Sequence, residues 1–445
     1  MLSYAERRDE LVRQVQSGRG PELALGKQTS NLFRTRAAAP RRRLDVSAFR
    51  HVLEIDTRQG WVNVEAMTPY DVLAAATLER GLMPCVVPQL KSITIGGAAA
   101  GVGIESSSFK YGLVHETLLE LEVLLGDGSV VVATPDNEHR ELFFGFPNSY
   151  GTLGYALRVK TKVVPVRRYV ALSHLRHSGR AAYFRQLVEL CQAPDIDFID
   201  GSVFAPDELY ITVGRFVDEA PYTSDYTFEK IYYRSIRERE TDYLSTEAYL
   251  WRWDTDWFWC SKNLGAQNPI LRRLLGRERL NSMFYTRLMR LNGRWRLTHA
   301  LDRLSRRNRE SVIQDVDIPL ERAPEFLAFF HREIGILPIW VCPIRTANPT
   351  YRWSLYPMDA SRTFVNFGFW DVVHSRQPHP RGYFNRLVER KVQELGGIKS
   401  LYSDSYFTPE EFSASYNGDA YRALKQRYDP GGVFNDLYAK CVLRA

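Results

Sequence analysis

A chain of 445 residues with 44% hydrophobic and 25% charged residues is long enough for about two or three domains with buried cores, and its composition excludes a disordered or fibrous protein. The net charge of +7 is unevenly spread: residues 271–310 hold 12 arginines against Glu278, Asp302 and Glu310, which argues against a globally basic nucleic-acid-binding protein. No run of about 18 apolar residues occurs, so no membrane-spanning helix is expected, and the charged opening MLSYAERRDELVRQVQ lacks the apolar core of a secretory signal, which points to the cytoplasm.

Residues 4–16 have the spacing of an amphipathic helix, ended by Gly18, Gly20 and Pro21. Residues 51–56 and 61–67 read as two strands of a hairpin around a polar turn at 57–60. A helix follows, with Thr68 as N-cap, Pro69 in the first helical position and Gly81 as terminator. The clearest hairpin covers 118–134, where two β-rich runs flank Gly126, Asp127 and Gly128. Residues 155–166 alternate as a further strand, and Pro165 closes the first domain. From about 170 to 400, mixed strands and helices with aromatic clusters read as a second domain. It includes residues 241–260, with Trp251, Trp253, Trp257 and Trp259, and a strand in which Trp340 and Cys342 alternate with Ile339 and Val341. Residues 401–445 return to short elements, with a helix over Pro409–Ser415.

Five dispersed cysteines (Cys85, Cys191, Cys260, Cys342, Cys441) form no CxxC pair and read as reduced, buried thiols, not a disulfide framework or a metal site. The densest signal is ITIGGAAAGVGIESSSFKYG at 93–112. Gly96, Gly97, Gly101 and Gly103 remove Cβ atoms where a backbone bends or approaches a ligand, and Ser106, Ser107 and Ser108 add hydroxyls; this suits phosphates, or a tight corner alone. G-x-G at 101–103, with Glu120 or Glu122 beyond, invites a Rossmann reading. That reading fails on context, because Ser106 takes the third glycine position and a polar loop and strand follow where a helix must hold the pyrophosphate. No GxxxxGK[ST] loop is present. A second glycine segment, FPNSYGTLGYALRV, sets Gly151 and Gly154 at the entry of a strand.

The order of these segments, with the hairpin between them and the terminal YDPGGVF, resembles the vanillyl-alcohol-oxidase (PCMH) type of FAD-binding protein from about residue 22 onward. The resemblance implies an α+β fold: an N-terminal helix at 1–21, a two-subdomain PCMH-type FAD-binding domain at 22–168, an α+β cap over the flavin at 169–400, and a return to the flavin domain at 401–445. GIESSSFKYGL, the DGS turn, GTLG, NPI at 268–270, PIW-CP at 338–343 and LY-D-Y----EEF at 401–412 resemble, in combination, the delta-24 sterol reductase family. The opening KQTSNLFRTR resembles instead its bacterial relatives, which reduce a methylene branch on a fatty acyl chain to a methyl branch. A composition with only 11 lysines among 59 basic residues, as GC-rich bacterial genomes produce, favours that substrate over a sterol.

By this resemblance Gly96, Gly97, Gly101, Gly103, Ile104, Glu105, Ser106 and Ser107 wrap the pyrophosphate and flavin, while Gly151, Thr152 and Gly154 line the adenine side. Lys27, Gln28, Thr29, Ser30 and Asn31 replace the usual glycine-rich phosphate loop and would supply side-chain donors. No His or Cys falls within 22–50 and none within GVGIES, so the FAD is expected to be non-covalent. Tyr402 stands where related decaprenyl-phosphoryl-ribose oxidases set a tyrosine against the flavin. Ser405 replaces their lysine, which counts against sugar or polyol oxidation. Asp404 and Tyr406 are then the polar groups left to position a proton, unless they form a plain surface turn. The implied reaction protonates an unactivated lipid alkene and delivers hydride from flavin, which NADPH reloads; delta-24 sterol reduction is the alternative. Residues 271–310 interleave apolar side chains with arginine at helical spacing, as an interfacial helix on an anionic membrane does, and as a solvated helix also does. The aromatic run at 241–260 lines an acyl tunnel or packs a core.

Overall fold

The computed structural model describes residues 2–18, 23–26, 33–34, 42–295 and 308–444. The expected phosphate-loop residues Lys27, Gln28, Thr29, Ser30 and Asn31 lie outside this set, as do residues 296–307 of the basic segment.

Besides a short parallel pair, Leu23–Gly26 with Arg42–Asp45, two antiparallel sheets carry the chain. The first is built on Tyr155–Pro165, which pairs with Trp61–Glu65 on one side and Leu118–Leu124 on the other; Leu82–Pro84 joins its far end. Val52–Asp56 and Val130–Ala133 complete the two hairpins read from sequence. Val62, Val64, Leu121, Val123 and Val159 enter one core with Leu73 and Ala74 of the helix Tyr70–Leu78. The N-terminal helix Tyr4–Ser17, opened by a Ser3–Glu6 capping box, packs Leu11 and Val15 against Leu157 and Phe434.

The helix expected to begin at Pro69 begins one residue later, with Pro69 itself as N-cap. Pro69 is held extended in a bridge to Thr94, and the Tyr70 N–H donates to the Ile93 carbonyl at 2.8 Å. The helix start is thus tied to the glycine segment, which itself contains a short helix, Ile95–Ala100, N-capped by Thr94.

The second sheet runs in the order Thr241–Ser245, Tyr169–His177, Glu208–Val217, Phe198–Ala205, Ile339–Arg345, Thr363–Ser375, Asn308–Pro319 and Ile398–Lys399. Helices Arg180–Leu190, Ala323–Glu333 and Tyr383–Glu394 cover one face, packing Tyr183, Phe326 and Val388 around Ile339, Val341 and Phe367. Trp340 and Cys342 point the other way, into the core shared with the first domain. Beyond residue 400 the chain returns to that domain: Phe33 forms a parallel bridge with Ser403, and the Leu23 N–H donates to the Val433 carbonyl.

The basic segment does not form the single interfacial helix its spacing suggests. Pro269–Leu275 stops at Gly276, where φ is 72°, a conformation that side chains disfavour; the turn Arg277–Arg279 and the helix Ser282–Trp295 follow. Residues 308–310 already belong to the strand Asn308–Pro319. Arg272 turns inward and pairs with Asp256 at 2.6 Å, buried. Among the described residues no helix is long and apolar enough to cross a membrane.

Candidate functional site

The two glycine segments meet at one corner. The Tyr150 N–H donates to the Ala100 carbonyl at 2.8 Å and the Asn148 N–H to the Gly101 carbonyl at 3.2 Å. Asn148, Tyr150 and Gly151 all have positive φ (64°, 50° and 75°), a cluster of left-handed residues that persists only where the surroundings fix it. The glycines have different reasons. A Cβ on Gly96 would lie 2.6 Å from that of Ala66, one on Gly103 2.6 Å from Val114, and one on Gly154 2.6 Å from Val123, so these three admit close packing of the protein on itself. A Cβ on Gly101 would lie 3.0 Å from the Gly97 carbonyl and 3.5 Å from the Tyr150 ring, and the Gly97 N–H is held by the Thr94 hydroxyl.

Buried polar atoms without partners collect at this corner. They include Ser149 Oγ, Asn148 Oδ1, Ser403 Oγ, and Nε and Nη2 of Arg34. The Arg34 guanidinium lies 4.7 Å from the Tyr150 ring centroid, donates from Nη1 to Cys441 Sγ, and is itself buried. Lys440 Nζ donates to the Tyr150 carbonyl at 2.7 Å. An unsatisfied buried group costs about 1–3 kcal/mol, and such a set, three neutral polar groups with the Arg34 guanidinium, fits a polar, anionic dinucleotide. FAD is such a group. Thr152 closes the corner, its hydroxyl donating to Ser149 O and its carbonyl accepting from Lys425.

Glu105, Ser106 and Ser107 are buried and bond within the protein. Ser107 Oγ donates to the Cys85 carbonyl (2.7 Å), Ser106 Oγ lies 2.8 Å from the Tyr249 hydroxyl, and Glu105 accepts from Gln89 and Ser106. Fully buried Arg252 spans from Glu105 (3.0 Å) to Asp200 of the second sheet (2.9 Å), and the Trp340 indole donates to the same Asp200 at 3.1 Å. Cys342 Sγ donates to the Glu105 carbonyl at 3.2 Å. Burial raises the Glu105 carboxyl, Arg252 opposes that rise, and the neighbouring Asp200 assists it. These side chains fasten the loop to the cap, with Ile104 partly buried against the same core.

Across the same sheet face, the cap strands carry Asp315, Asp317, Asn366 and Trp370. Asp317 accepts from Tyr356 (2.6 Å) and Asn366 (2.7 Å), and burial pushes its carboxyl up to about 6. Burial pushes Asp315 up to about 7, opposed by a hydrogen bond with Tyr402 and assisted by Asp317. The Trp370 indole donates to the Tyr402 hydroxyl at 2.7 Å. Asp315, Tyr402, Trp370 and Tyr150 are only partly buried. Asp404 and Tyr406 have other neighbours: Asp404 pairs with Arg444 at 3.5 Å, and the Tyr406 ring lies 5.4 Å from the Arg444 guanidinium. Ser405 is buried and accepts from Lys399 (3.1 Å), which pairs with Glu389 at 2.8 Å.

Aromatic rings continue from Tyr402. Phe33 lies 5.9 Å from it and stacks on Trp257 at 5.6 Å; Trp257 stacks on Tyr285 of the helix Ser282–Trp295 at 6.4 Å. On the other side Trp370 meets Phe258 at 4.3 Å. Trp257 and Phe258 have positive φ (46° and 55°), while Trp253 and Trp259 are buried in the shared core.

Sequence reading did not single out Arg34, Asn148, Arg252, Asp315 or Trp370. For Asp315 and Asp317 a signal existed: IQDVDIP is a β-rich run with two acids at spacing two, hence on one face of a strand. Arg252 and Arg34 carry no such local mark, because their partners are distant in the chain.

Residues 8–134 match the model of an FAD binding domain family. The human (Homo sapiens) Delta(24)-sterol reductase is 28% identical over 403 residues, covering 87% of this chain and 75% of that protein. The Delta(24)-sterol reductase of Pisum sativum is 25% identical over 474 residues, covering 96% and 80%. Cytokinin dehydrogenase 7 of Oryza sativa subsp. japonica is 30% identical over 162 residues, 33% of this chain and 30% of that protein.

Proposed function

We propose that this chain, an FAD-dependent oxidoreductase related to the Delta(24)-sterol reductases, saturates a carbon–carbon double bond on a lipid chain with NADPH as reductant. The substrate class we infer is a methylene-branched fatty acyl group on a phospholipid, converted to the methyl-branched product. FAD, held without a covalent bond, supplies the hydride chemistry when bound. Arg34 and the corner of Gly101 and Tyr150 bind its polar portion; the Glu105–Arg252–Asp200 bridge keeps the cap closed over it and water out. Tyr402 and Trp370 line the space beside it.

The observation that carries the lipid reading is the aromatic path from Tyr402 to Tyr285, because it ends beneath an apolar, arginine-flanked surface. Ile270 and Leu274 are 72% and 75% exposed, and Leu271, Met283 and Leu288 are also exposed, beside Arg279 and Arg287 and the surface ion pairs Arg273–Glu229 and Arg277–Asp225. Such a face seats among acyl chains with its cations at anionic headgroups, each worth about 1 kcal/mol. We place the protein peripherally on the cytoplasmic membrane face. The names of its relatives favour a sterol side-chain alkene as the second reading. Lipid profiling of cells with and without the gene separates the two. Accumulated methylene-branched phospholipid supports the first, an accumulated unsaturated sterol the second, and neither change rejects both.

A further inference from the structure

The proposed reaction needs an acid. An unactivated alkene accepts hydride only once a proton has been placed on its less substituted carbon, and that proton must come from a group that is neutral and protonated in a dry site. The carboxyls around the cap face can be sorted by their partners. Glu105 and Asp200 hold Arg252, Glu389 holds Lys399, and both oxygens of Asp317 accept hydrogen bonds. Each of these is anchored by the fold.

Asp315 differs from all of them. Its Oδ1 is shielded from solvent and has no hydrogen-bond partner, and no cation pairs with it among the described residues. It stands opposite Gly368 on the neighbouring strand, where a Cβ would come within 2.6 Å of that oxygen. The same Cβ would come within 2.5 Å of the Trp370 ring, so the absence of a side chain at 368 makes room for the Asp315 carboxyl and the Trp370 indole together. Beside it, the Trp370 indole donates to the Tyr402 oxygen, which leaves the Tyr402 hydroxyl hydrogen free to point at Asp315. The titratable groups facing Asp315 are Tyr402, from the C-terminal segment, and Asp317, from its own strand; Gly368 and Trp370 on the adjacent strand carry no charge.

We propose that Asp315 is the catalytic acid and Tyr402 the residue that positions it, an assignment that rests on the alkene-reductase reading above. The O–H bond of Asp315 breaks as a C–H bond forms, from the alkene π pair, at the less substituted carbon. Positive charge develops on the tertiary carbon and is filled by the hydride that the reduced cofactor supplies. The substrate gains two electrons, the cofactor loses them, and the Asp315 carboxylate is reprotonated from solvent. Asp404 and Tyr406, which the sequence suggested for this task, lie beside Arg444.

The test uses FAD-loaded protein, reduced by NADPH without oxygen and mixed with vesicles of methylene-branched phospholipid. Reoxidation by the lipid should fall at least about 100-fold in Asp315→Asn, while bleaching of the flavin by NADPH reports a folded, loaded protein. In the wild type, reoxidation should decline about tenfold per pH unit above neutrality, and product made in D2O should carry deuterium on the new methyl carbon. Should Asp315→Asn lose its flavin, the wild-type pH limb and its displacement in Tyr402→Phe decide the matter alone. Wild-type reoxidation with no pH limb, or Asp315→Asn turnover within about threefold of wild type, overturns the acid assignment and leaves the reductase reading intact. Wild type that no lipid alkene reoxidises overturns both.

Discussion

The Trp370 indole N–H donates to the Tyr402 hydroxyl oxygen across 2.7 Å, joining a cap strand to the segment that returns to the flavin domain. This bond fixes which way the Tyr402 proton points. Replacing Trp370 with Phe keeps the ring and removes the donor. Loss of one such bond is worth about 0.5–1.5 kcal/mol, so lipid-alkene turnover should drop about three- to tenfold with flavin content unchanged. Stopped-flow reoxidation measures it, and a variant as fast as wild type would show that the bond does not orient Tyr402.

Arg252 is the only side chain linking Glu105 to Asp200 among the described residues, and all three are buried. Arg252→Met leaves both carboxylates without their cation, which costs about 3–5 kcal/mol. Denaturant unfolding should show a loss of that size, together with faster FAD release, because the glycine loop and the cap come apart at this point. A stability change under about 1 kcal/mol would mean that the bridge does not hold the cap.

The fold should be most stable in mildly acidic solution. Burial raises Glu116 from 4.5 to about 7, where its carboxyl accepts from Leu113 and Ala347. A raised folded pKa gives stability that is complete below the unfolded value and is lost as pH climbs through the folded one, here between about 4.5 and 7, on the order of 3 kcal/mol. Asp315 and Asp317 act in the same direction. Burial lowers His115 to about 3 and His174 to about 4, so their share is complete above the ordinary histidine value of 6.5 and is lost as pH falls below it. Between about pH 4.5 and 7 the unfolding free energy of the wild type should fall relative to that of Glu116→Gln. A limb of equal slope in that variant would remove Glu116 from the account.

How far the sequence reaches depends on how local the cause is. The Tyr155–Pro165 strand, the hairpin closed by Asp127 and the Tyr4–Ser17 helix carry their period and caps within a few residues, and all three form where expected. The Pro69 cap is displaced because its cause lies at Thr94. The glycine corner was legible as glycines; that Gly96, Gly103 and Gly154 make room for Ala66, Val114 and Val123 was not, since it depends on the packed neighbours. The Asp315–Tyr402 pairing requires knowing that Asn308–Pro319 and Ile398–Lys399 are adjacent strands, a non-local fact. The break at Gly276 was readable, because glycine inside a helical pattern marks an end as readily as a continuation.

If the exposed apolar face meets a bilayer, Ile270→Ser with Leu274→Ser should weaken binding to anionic vesicles more than tenfold, at about 1.5 kcal/mol or more for each side chain. Both residues are too exposed to matter for folding, so the unfolding midpoint should stay put. Sedimentation with vesicles at low and high salt reads the effect, and equal binding by variant and wild type would move the membrane contact elsewhere.

If a bound flavin passes electrons from NADPH to a lipid alkene, anaerobic, NADPH-reduced protein mixed with vesicles of methylene-branched phospholipid will show it when flavin absorbance and lipid mass are followed together. Absorbance should return as one saturated methyl-branched acyl chain appears per flavin. Protein that binds no flavin, or reduced flavin that oxygen or a quinone reoxidises while the lipid alkene stays unchanged, would contradict it.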